Sequence, residues 1–311
     1  MHSTPAQACS VIDVAVILNP ASGSAGRDAT SERIVELFAA EGRAATVLAA
    51  GPGSTVADQA RAAVEAGCRL AVAAGGDGTV NAVATAVLGR DIPLGVLPMG
   101  TLNHFAKDLG LPLELAEAVG VAARGTVRRV DVGQVSGRVF LNNSSIGVYP
   151  RVVELRRRWE STGLGKWVAA LWASLVVVRR RPFMGVRIRT PDDTVVRLTP
   201  FVFVGNNEYR MVGLHGASRE SLTGGRLAVC VMHASLRRSL LVLAWQVLWR
   251  GVEQVRELEL FLVTEATIET RRRRLQVALD GELAVLASPL EYRILPLALP
   301  VMAPRAEGVR E

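Results

Sequence analysis

Residues 70–87 read LAVAAGGDGTVNAVATAV. The apolar run Leu70 to Ala74 predicts a strand, and Thr79 to Leu88 places apolar residues at helical spacing. Only Gly75-Gly76-Asp77-Gly78 separates the two. A strand that passes directly into a helix must cross back over its sheet, so repetition of this step makes neighbouring strands parallel. The step recurs. Val11 to Leu18 and Ala44 to Ala49 predict strands, each followed by a helical pattern at Ser31 to Ala40 and Val56 to Ala66. Ile92 to Leu97 supplies a fourth strand. The first part of the chain therefore predicts a mainly parallel α/β domain with helices on both faces.

The order changes after Gly125. Arg128 to Val135 and Arg138 to Asn143 predict strands joined by the two-residue turn Ser136-Gly137. Helical patterns at Arg151 to Trp159, Lys166 to Val178 and Leu236 to Arg250 interrupt a further series of strands. Those strands are Gly185 to Arg189, Val195 to Leu198, Phe201 to Val204, Leu227 to Met232, Leu258 to Val263, Thr267 to Thr270, Leu275 to Leu279 and Tyr292 to Leu295. This half predicts an antiparallel sheet assembly with inserted helices. The expected domains are 9–126 and 127–311.

Half of the 311 residues are hydrophobic and 21% are charged, which excludes a disordered chain. A mean hydropathy of +0.27 raises the question of a membrane span. The longest clean apolar run, Trp167 to Val178, has twelve residues and is closed by Arg179, Arg180 and Arg181. A span needs about 20, so none is expected. The net charge of +7 favours phosphate-bearing ligands, anionic lipid or nucleic acid. An aromatic content of 5% weakens a base-stacking surface, and no nucleic-acid partner is expected. Cys9, Cys68 and Cys230 have no metal-ligand spacing, and the absence of a signal-peptide pattern over Met1 to Ser10 fits a reducing cytoplasm.

The glycines at 75, 76 and 78 let a bound group approach the backbone closely. The first N–H groups of the following helix favour an anion. Asp77 among phosphate donors makes sense where Mg²⁺ neutralises both. The plainer reading is a tight turn with Asp77 as a helix cap. Two more small, polar turns follow strands: Asn19 to Ser24 after the first, and Pro98 to Asn103 after the fourth. In a parallel sheet all three lie on the carboxyl edge, where ligands bind. The later LDGE carries Asp280 and Glu282. Asp280-Gly281 alone also fits a type I′ hairpin turn with an exposed glutamate after it.

NPASG, GGDGTVNAV, GVLPMGTLNHFAKDLGLP and LDGE occur in this order. With them, from about Val11 to Pro300, the chain resembles the bacterial diacylglycerol kinase-like lipid kinases, which share a catalytic module with sphingosine and ceramide kinases. The resemblance implies a Rossmann-like N-terminal domain that carries ATP and a β-sandwich C-terminal domain. It also implies a last segment, near Tyr292 to Pro300, that packs back toward the first domain. The activity implied is transfer of the ATP γ-phosphoryl group to a lipid hydroxyl with Mg²⁺. Gly75, Gly76, Asp77, Gly78, Thr79 and Asn81 match the nucleotide block, with Asp77 toward the metal. Gly100, Thr101 and Asn103 match its companion loop, and Asn19, Ser22 and Gly23 the first phosphate-side turn. Glu282 would be the general base, with Asp280 orienting it or helping to hold the metal.

Three positions depart from the family pattern. His104 stands where many relatives have Asp. The stretch Ser221 to Ala228 lacks the carboxylates that bind a structural metal in relatives, so that site is not carried over. Ala49 and Ala50 stand where some relatives place an ATP-contacting Thr. The arginines flanking Trp167 to Val178, and Arg237 and Arg238 beside Trp245 and Trp249, suit an anionic interface. A cytoplasmic enzyme peripherally associated with the membrane, meeting its lipid substrate and anionic headgroups there, is therefore expected. The run Arg271 to Arg274 reads as a solvated turn. The rival readings are an NAD kinase-like phosphotransferase, since GGDGT is shared, and a lipid- or nucleotide-binding protein without turnover.

Overall fold

The computed structural model describes residues 12–20, 27–51, 53–147, 183–211, 217–219, 221–232 and 258–305. They form two units. Unit 1 runs to Arg129 and includes the chain from Leu299 onward; unit 2 is Val130–Ala298.

Unit 1 contains β1 (Val14–Leu18), α1 (Arg27–Ala40), β2 (Ala45–Ala49), α2 (Val56–Glu65) and β3 (Leu70–Gly75). It continues with α3 (Asp77–Val87), β4 (Leu94–Pro98), α4 (His104–Asp108) and α5 (Leu115–Arg124). The strands lie in the order β2-β1-β3-β4 and all pair in parallel. Every residue of β1, β3 and β4 is buried, as strands covered on both faces require. Ile34 and Phe38 of α1, and Ala118, Val119 and Ala122 of α5, pack onto Val14, Val16, Leu18 and Val72. The start of α2 is fixed by Thr55 and Asp58. The Thr55 hydroxyl accepts from the Asp58 amide, and the Thr55 amide donates back to the Asp58 carboxylate. The strand order reverses direction between β1 and β3, which is where ligands bind in open α/β sheets.

The strand β5 (Thr126–Val135) leads into unit 2. There follow β6 (Arg138–Phe140), β7 (Asn143–Gly147), β8 (Met184–Arg189), β9 (Thr194–Thr199) and β10 (Phe201–Asn206). Next are β11 (Tyr209–Met211), β12 (Ala217–Arg219), β13 (Leu227–Met232) and β14 (Leu258–Val263). The last are β15 (Glu265–Thr270), β16 (Arg274–Leu279), β17 (Glu282–Ala287) and β18 (Leu290–Ala303). Two antiparallel sheets face each other as a sandwich. One has the order β18-β15-β8-β9, and the other β14-β13-β10-β7-β16-β17. Val186, Ile188, Ile268 and Leu290 of the first meet Ile146, Val202, Val204, Val229, Val231 and Val277 of the second. The end of β18 belongs to unit 1, where Val301 pairs in parallel with Leu94.

Several elements differ from the sequence expectation. The strand expected at Arg138 to Asn143 is two strands, broken at Leu141-Asn142. The helices α4 and α5 and the strand β17 add to the expected elements, although Leu115, Ala118, Val119 and Ala122 of α5 stand at helical spacing. The buried face of α5 is built from alanines and one valine, and α4 has only five residues. The strand near Tyr292 to Leu295 extends over fourteen residues. The helices expected at 151–159, 166–178 and 236–250 lie outside the described residues.

Phe38 is fully buried. Phe38→Ala is expected to lower unfolding stability by about 3–5 kcal/mol, read by denaturant titration. Asp13 accepts a two-point ion pair from Arg43, at 2.8 and 2.9 Å. These hydrogen bonds hold its carboxyl below the ordinary value of 3.8. A carboxylate whose folded pKa is depressed adds stability above its unfolded pKa and loses it as pH falls through the folded one. Asp13→Asn should therefore be less stable than the parent at neutral pH, and the difference should close as pH drops below 3.8.

Candidate active site

Three bends meet at the carboxyl edge of the unit 1 sheet. Asn19 follows β1; its amide donates to the Ala74 carbonyl (3.1 Å) and its Nδ2 to the buried Thr79 hydroxyl (3.2 Å). Gly75 ends β3, and a Cβ there would collide with the Thr79 side chain. Gly76 precedes α3 in extended backbone, while Asp77, Gly78, Thr79 and Asn81 all lie in α3. The Met99 amide donates to the Gly75 carbonyl at 3.1 Å, which brings the bend after β4 alongside. A Cβ on Gly100 would stand 2.5 Å from the Gly76 Cα, so the two glycine backbones pass each other with no room for a side chain. Ser22 and Gly23 lie outside the described residues.

Asp77 is a cap, but for a different helix from the one it begins. Its carboxylate accepts from the amides of His104 and Phe105, both at 3.3 Å, at the start of α4. This remote cap ties the GGDGT turn to the PMGTLN loop. Asn103 adopts the left-handed conformation, with φ of 51°. Its Oδ1 accepts from the Gly100 amide (3.0 Å) and its Nδ2 donates to the Gly100 carbonyl (2.8 Å). Asn103 therefore shapes the loop from within, whereas Thr101 and the His104 side chain are exposed. The first amides of α3 have no acceptor within their own helix and form the anion-favouring element of this edge.

A carboxylate has about four lone-pair sites, and the two long contacts to Asp77 leave capacity for a cation. Among the described residues no group of three or more His, Cys, Asp or Glu could hold a metal ion. A single carboxylate fits Mg²⁺ that arrives with phosphates, as this ion commonly binds. Ala50 is buried, its amide donating to the Leu18 carbonyl, and its methyl offers a ligand no polar group.

In unit 2, Asp280 and Gly281 join β16 to β17 with Leu279 opposite Glu282. Both have positive φ, 47° and 83°, as a type I′ turn requires. The plainer geometry is thus present, with an addition. Asp280 Oδ2 accepts from the Leu141 amide (2.7 Å), and Oδ1 from those of Asn142 (2.8 Å) and Asn143 (3.0 Å). The Asp280 amide donates back to the Asn143 carbonyl at 2.9 Å. The turn is thereby fastened at the break between β6 and β7, and Glu282 leaves it exposed.

Sequence reasoning missed Asp131. It is 1% exposed, and its carboxylate accepts from the amides of Gly225 (2.7 Å) and Leu297 (2.8 Å). Its signal was available: a carboxylate between two valines in a buried strand needs partners. The stretch Ser221 to Ala228 is organised by hydrogen bonds. Besides Gly225 to Asp131, the Asp131 amide donates to Leu222 and the Asn207 amide to Arg226.

Gly100→Ala should disrupt this edge, because the added methyl meets backbone rather than a flexible side chain. The expected result is a lower melting temperature, read by calorimetry. Gly120→Ala serves as the control. Its methyl would make only ordinary contacts, with the flexible ends of Arg124 and Glu41, so stability should rise by about 0.5–1 kcal/mol.

The diacylglycerol kinase catalytic domain family matches residues 13–135. A diacylglycerol kinase of Bacillus subtilis is 36% identical over 146 residues, covering 45% of this chain and 46% of the relative. An uncharacterised protein of Synechocystis sp. is 27% identical over 237 residues, covering 75% of this chain and 54% of its own length. The chain spans about half the length of these curated relatives. The crystal structure of a diacylglycerol kinase from Bacillus anthracis superposes with a TM-score of 0.68 at 19% identity, over 94% of this chain and 97% of that one. A second structure from that organism gives 0.73 at 22% identity, covering 94% and 98%. These two show a shared fold. The chain is thus similar to the diacylglycerol kinases, in sequence through the catalytic domain matched at residues 13–135 and in fold over nearly its whole length.

Proposed function

We propose that this protein is an ATP-dependent lipid kinase whose acceptor is a hydroxyl of diacylglycerol or a related lipid. The observation that carries the kinase reading is the convergence of Asn19, Gly75 to Thr79 and Gly100 to Asn103 at one sheet edge. Backbone glycines in near contact, helix amides and one carboxylate are what a Mg²⁺-bound triphosphate needs.

The lipid reading has its own support in unit 2. Cross-strand partners share a sheet face. Leu260, Cys230, Phe203, Ser145, Ala278 and Leu283 are successive partners across β14-β13-β10-β7-β16-β17. They lie on the face opposite the sandwich core, where a soluble antiparallel sheet ordinarily turns polar residues outward. Here the row is apolar apart from one serine; Ser145 and Ala278 in its middle are buried, Phe203 and Cys230 half-buried, and Leu260 at one end and Val285 beside the other are 50% and 65% exposed. Burial in these surroundings pushes the Cys230 thiol up to about 11. An apolar row with exposed ends suits acyl chains better than a dinucleotide, which supports lipid over NAD as acceptor, although Arg274 and Gln276 share this face. Arg271 to Arg274 are exposed, in keeping with a solvated turn, and add to the basic balance that draws the protein toward anionic headgroups. Among the described residues no helix is long and apolar enough to cross a membrane. The contact proposed is a peripheral one, made from the cytoplasmic side.

In the proposed mechanism the acceptor oxygen attacks the γ-phosphorus as the bond to the β–γ bridging oxygen breaks, and ADP leaves. Glu282 takes the hydroxyl proton. Asp280 holds the turn that carries Glu282. The α3 amides and the Gly76–Gly100 contact fix the phosphates against rotation, which is most of what phosphoryl transfer asks of a protein. Mg²⁺, held by Asp77 with the phosphates, would neutralise charge there.

Incubation with labelled ATP and, in parallel, diacylglycerol, a sphingoid base and NAD is expected to label a lipid. Labelling of NAD alone would overturn the reading, as would ATP binding with no turnover of any acceptor. Glu282→Gln should lower kcat by about 10²–10⁴-fold while ATP affinity holds.

A further inference from the structure

The break between β6 and β7 is held from both sides. The amides of 141–143 point to Asp280. On the other side, the Leu141 carbonyl accepts from Asn206 Nδ2 (2.8 Å) and Arg219 Nη1 (2.5 Å). The Asn142 carbonyl accepts from the Asn206 amide (2.9 Å) and the Tyr209 hydroxyl (2.8 Å). Arg219 Nη2 also donates to Asn142 Oδ1 at 3.0 Å. Arg219 is 9% exposed, an unusual burial for a guanidinium. Arg219 and Tyr209 stand on β12 and β11, a two-stranded ribbon separate from both sheets of the sandwich. The Tyr209 ring rests edge-on against Phe203, with centroids 5.6 Å apart, and it occupies the space a Cβ at Gly205 would need.

The peptide unit makes this a lever. The Leu141 carbonyl and the Asn142 amide share one rigid plane, and the Asn142 carbonyl and the Asn143 amide share the next. A donor that fixes either carbonyl also fixes the direction of the amide in the same plane. Both of those amides end on Asp280 Oδ1. We propose that Arg219 and Tyr209 are positioning residues. By holding the carbonyls of Leu141 and Asn142, they keep the amides aimed at Asp280 and so set the aim of Glu282. The proposal rests on the reading of Glu282 as the base. It assigns the ribbon β11–β12 a part in catalysis that neither touches substrate nor adds a strand to the sandwich.

Tyr209→Phe tests this with little disturbance, since the ring keeps its contact with Phe203 and only the hydroxyl is lost. With ATP and diacylglycerol in mixed micelles, kcat is expected to fall by about 10–100-fold, with KM for ATP and the melting temperature unchanged. Arg219→Lys should retain more activity than Arg219→Met. On a Glu282→Gln background, Tyr209→Phe should cause no further loss, because two changes acting through one group are not additive. Losses that multiply in full would overturn the proposal. So would a fall in kcat matched only by a fall in melting temperature.

Amide hydrogen exchange reads the clamp without substrate. Exchange at Asn142 and Asn143 should rise by about tenfold in Tyr209→Phe, the signature of a more frequent local opening. Unchanged protection, with Glu282→Gln inactive, overturns the clamp alone. A fully active Glu282→Gln enzyme removes the base assignment and the positioning role with it. The two failures are thereby told apart.

Discussion

Carboxylates that accept from backbone amides far away in the sequence hold both units together internally. Asp77 takes the amides of His104 and Phe105, Asp131 those of Gly225 and Leu297, and Asp280 those of Leu141, Asn142 and Asn143. A hydrogen bond to a charged group contributes about 1.5–3 kcal/mol, roughly twice a neutral one. Each aspartate also answers the demand of loop amides that no strand or helix satisfies. Without Asp77, α4 would have too few residues to start itself. Lacking Asp280, the β16–β17 turn would be fixed only by its own strands.

In two places the fastening leaves a neighbouring side chain exposed. Asn103 closes its loop internally, while Thr101 and His104 project outward from the same loop. Asp280 is committed to the backbone, and Glu282, two residues on, is exposed. Neighbours in sequence are divided between holding the backbone and facing solvent. Under the proposed function an exposed group such as Glu282 meets the acceptor, while Asp77 combines fastening its loop with facing the metal.

Periodicity carried most of unit 1, because buried parallel strands are continuous apolar runs and their helices are amphipathic. At α5 it was carried largely by small residues: Leu115, Ala118, Val119 and Ala122 share one helical face, which packs near Leu97. It failed at α4: the group that caps this helix is 27 residues upstream, and nothing in HFAKD announces it. The site followed the same rule. GGDGT and PMGTLN were legible as bends because glycine and asparagine mark unusual backbone. The partners of Asp77 and Asp280 were not, since a hydrogen bond to a remote amide depends on topology and not on the residue that donates. Asp131 was visible as a charge among valines, but its partners lie 94 and 166 residues away.

That last separation bears on how the chain is made. Asp131 leaves the ribosome long before Leu297, whose amide it will hold, has been added. At about 5–20 residues per second, 166 residues take roughly 8–33 s. Throughout that interval the carboxylate must stay hydrated, so its strand cannot bury it in final form while the rest is still being translated. Completion of unit 2 is in this sense post-synthetic, and a nascent chain halted short of residue 297 would carry an ionised side chain with one of its appointed donors missing.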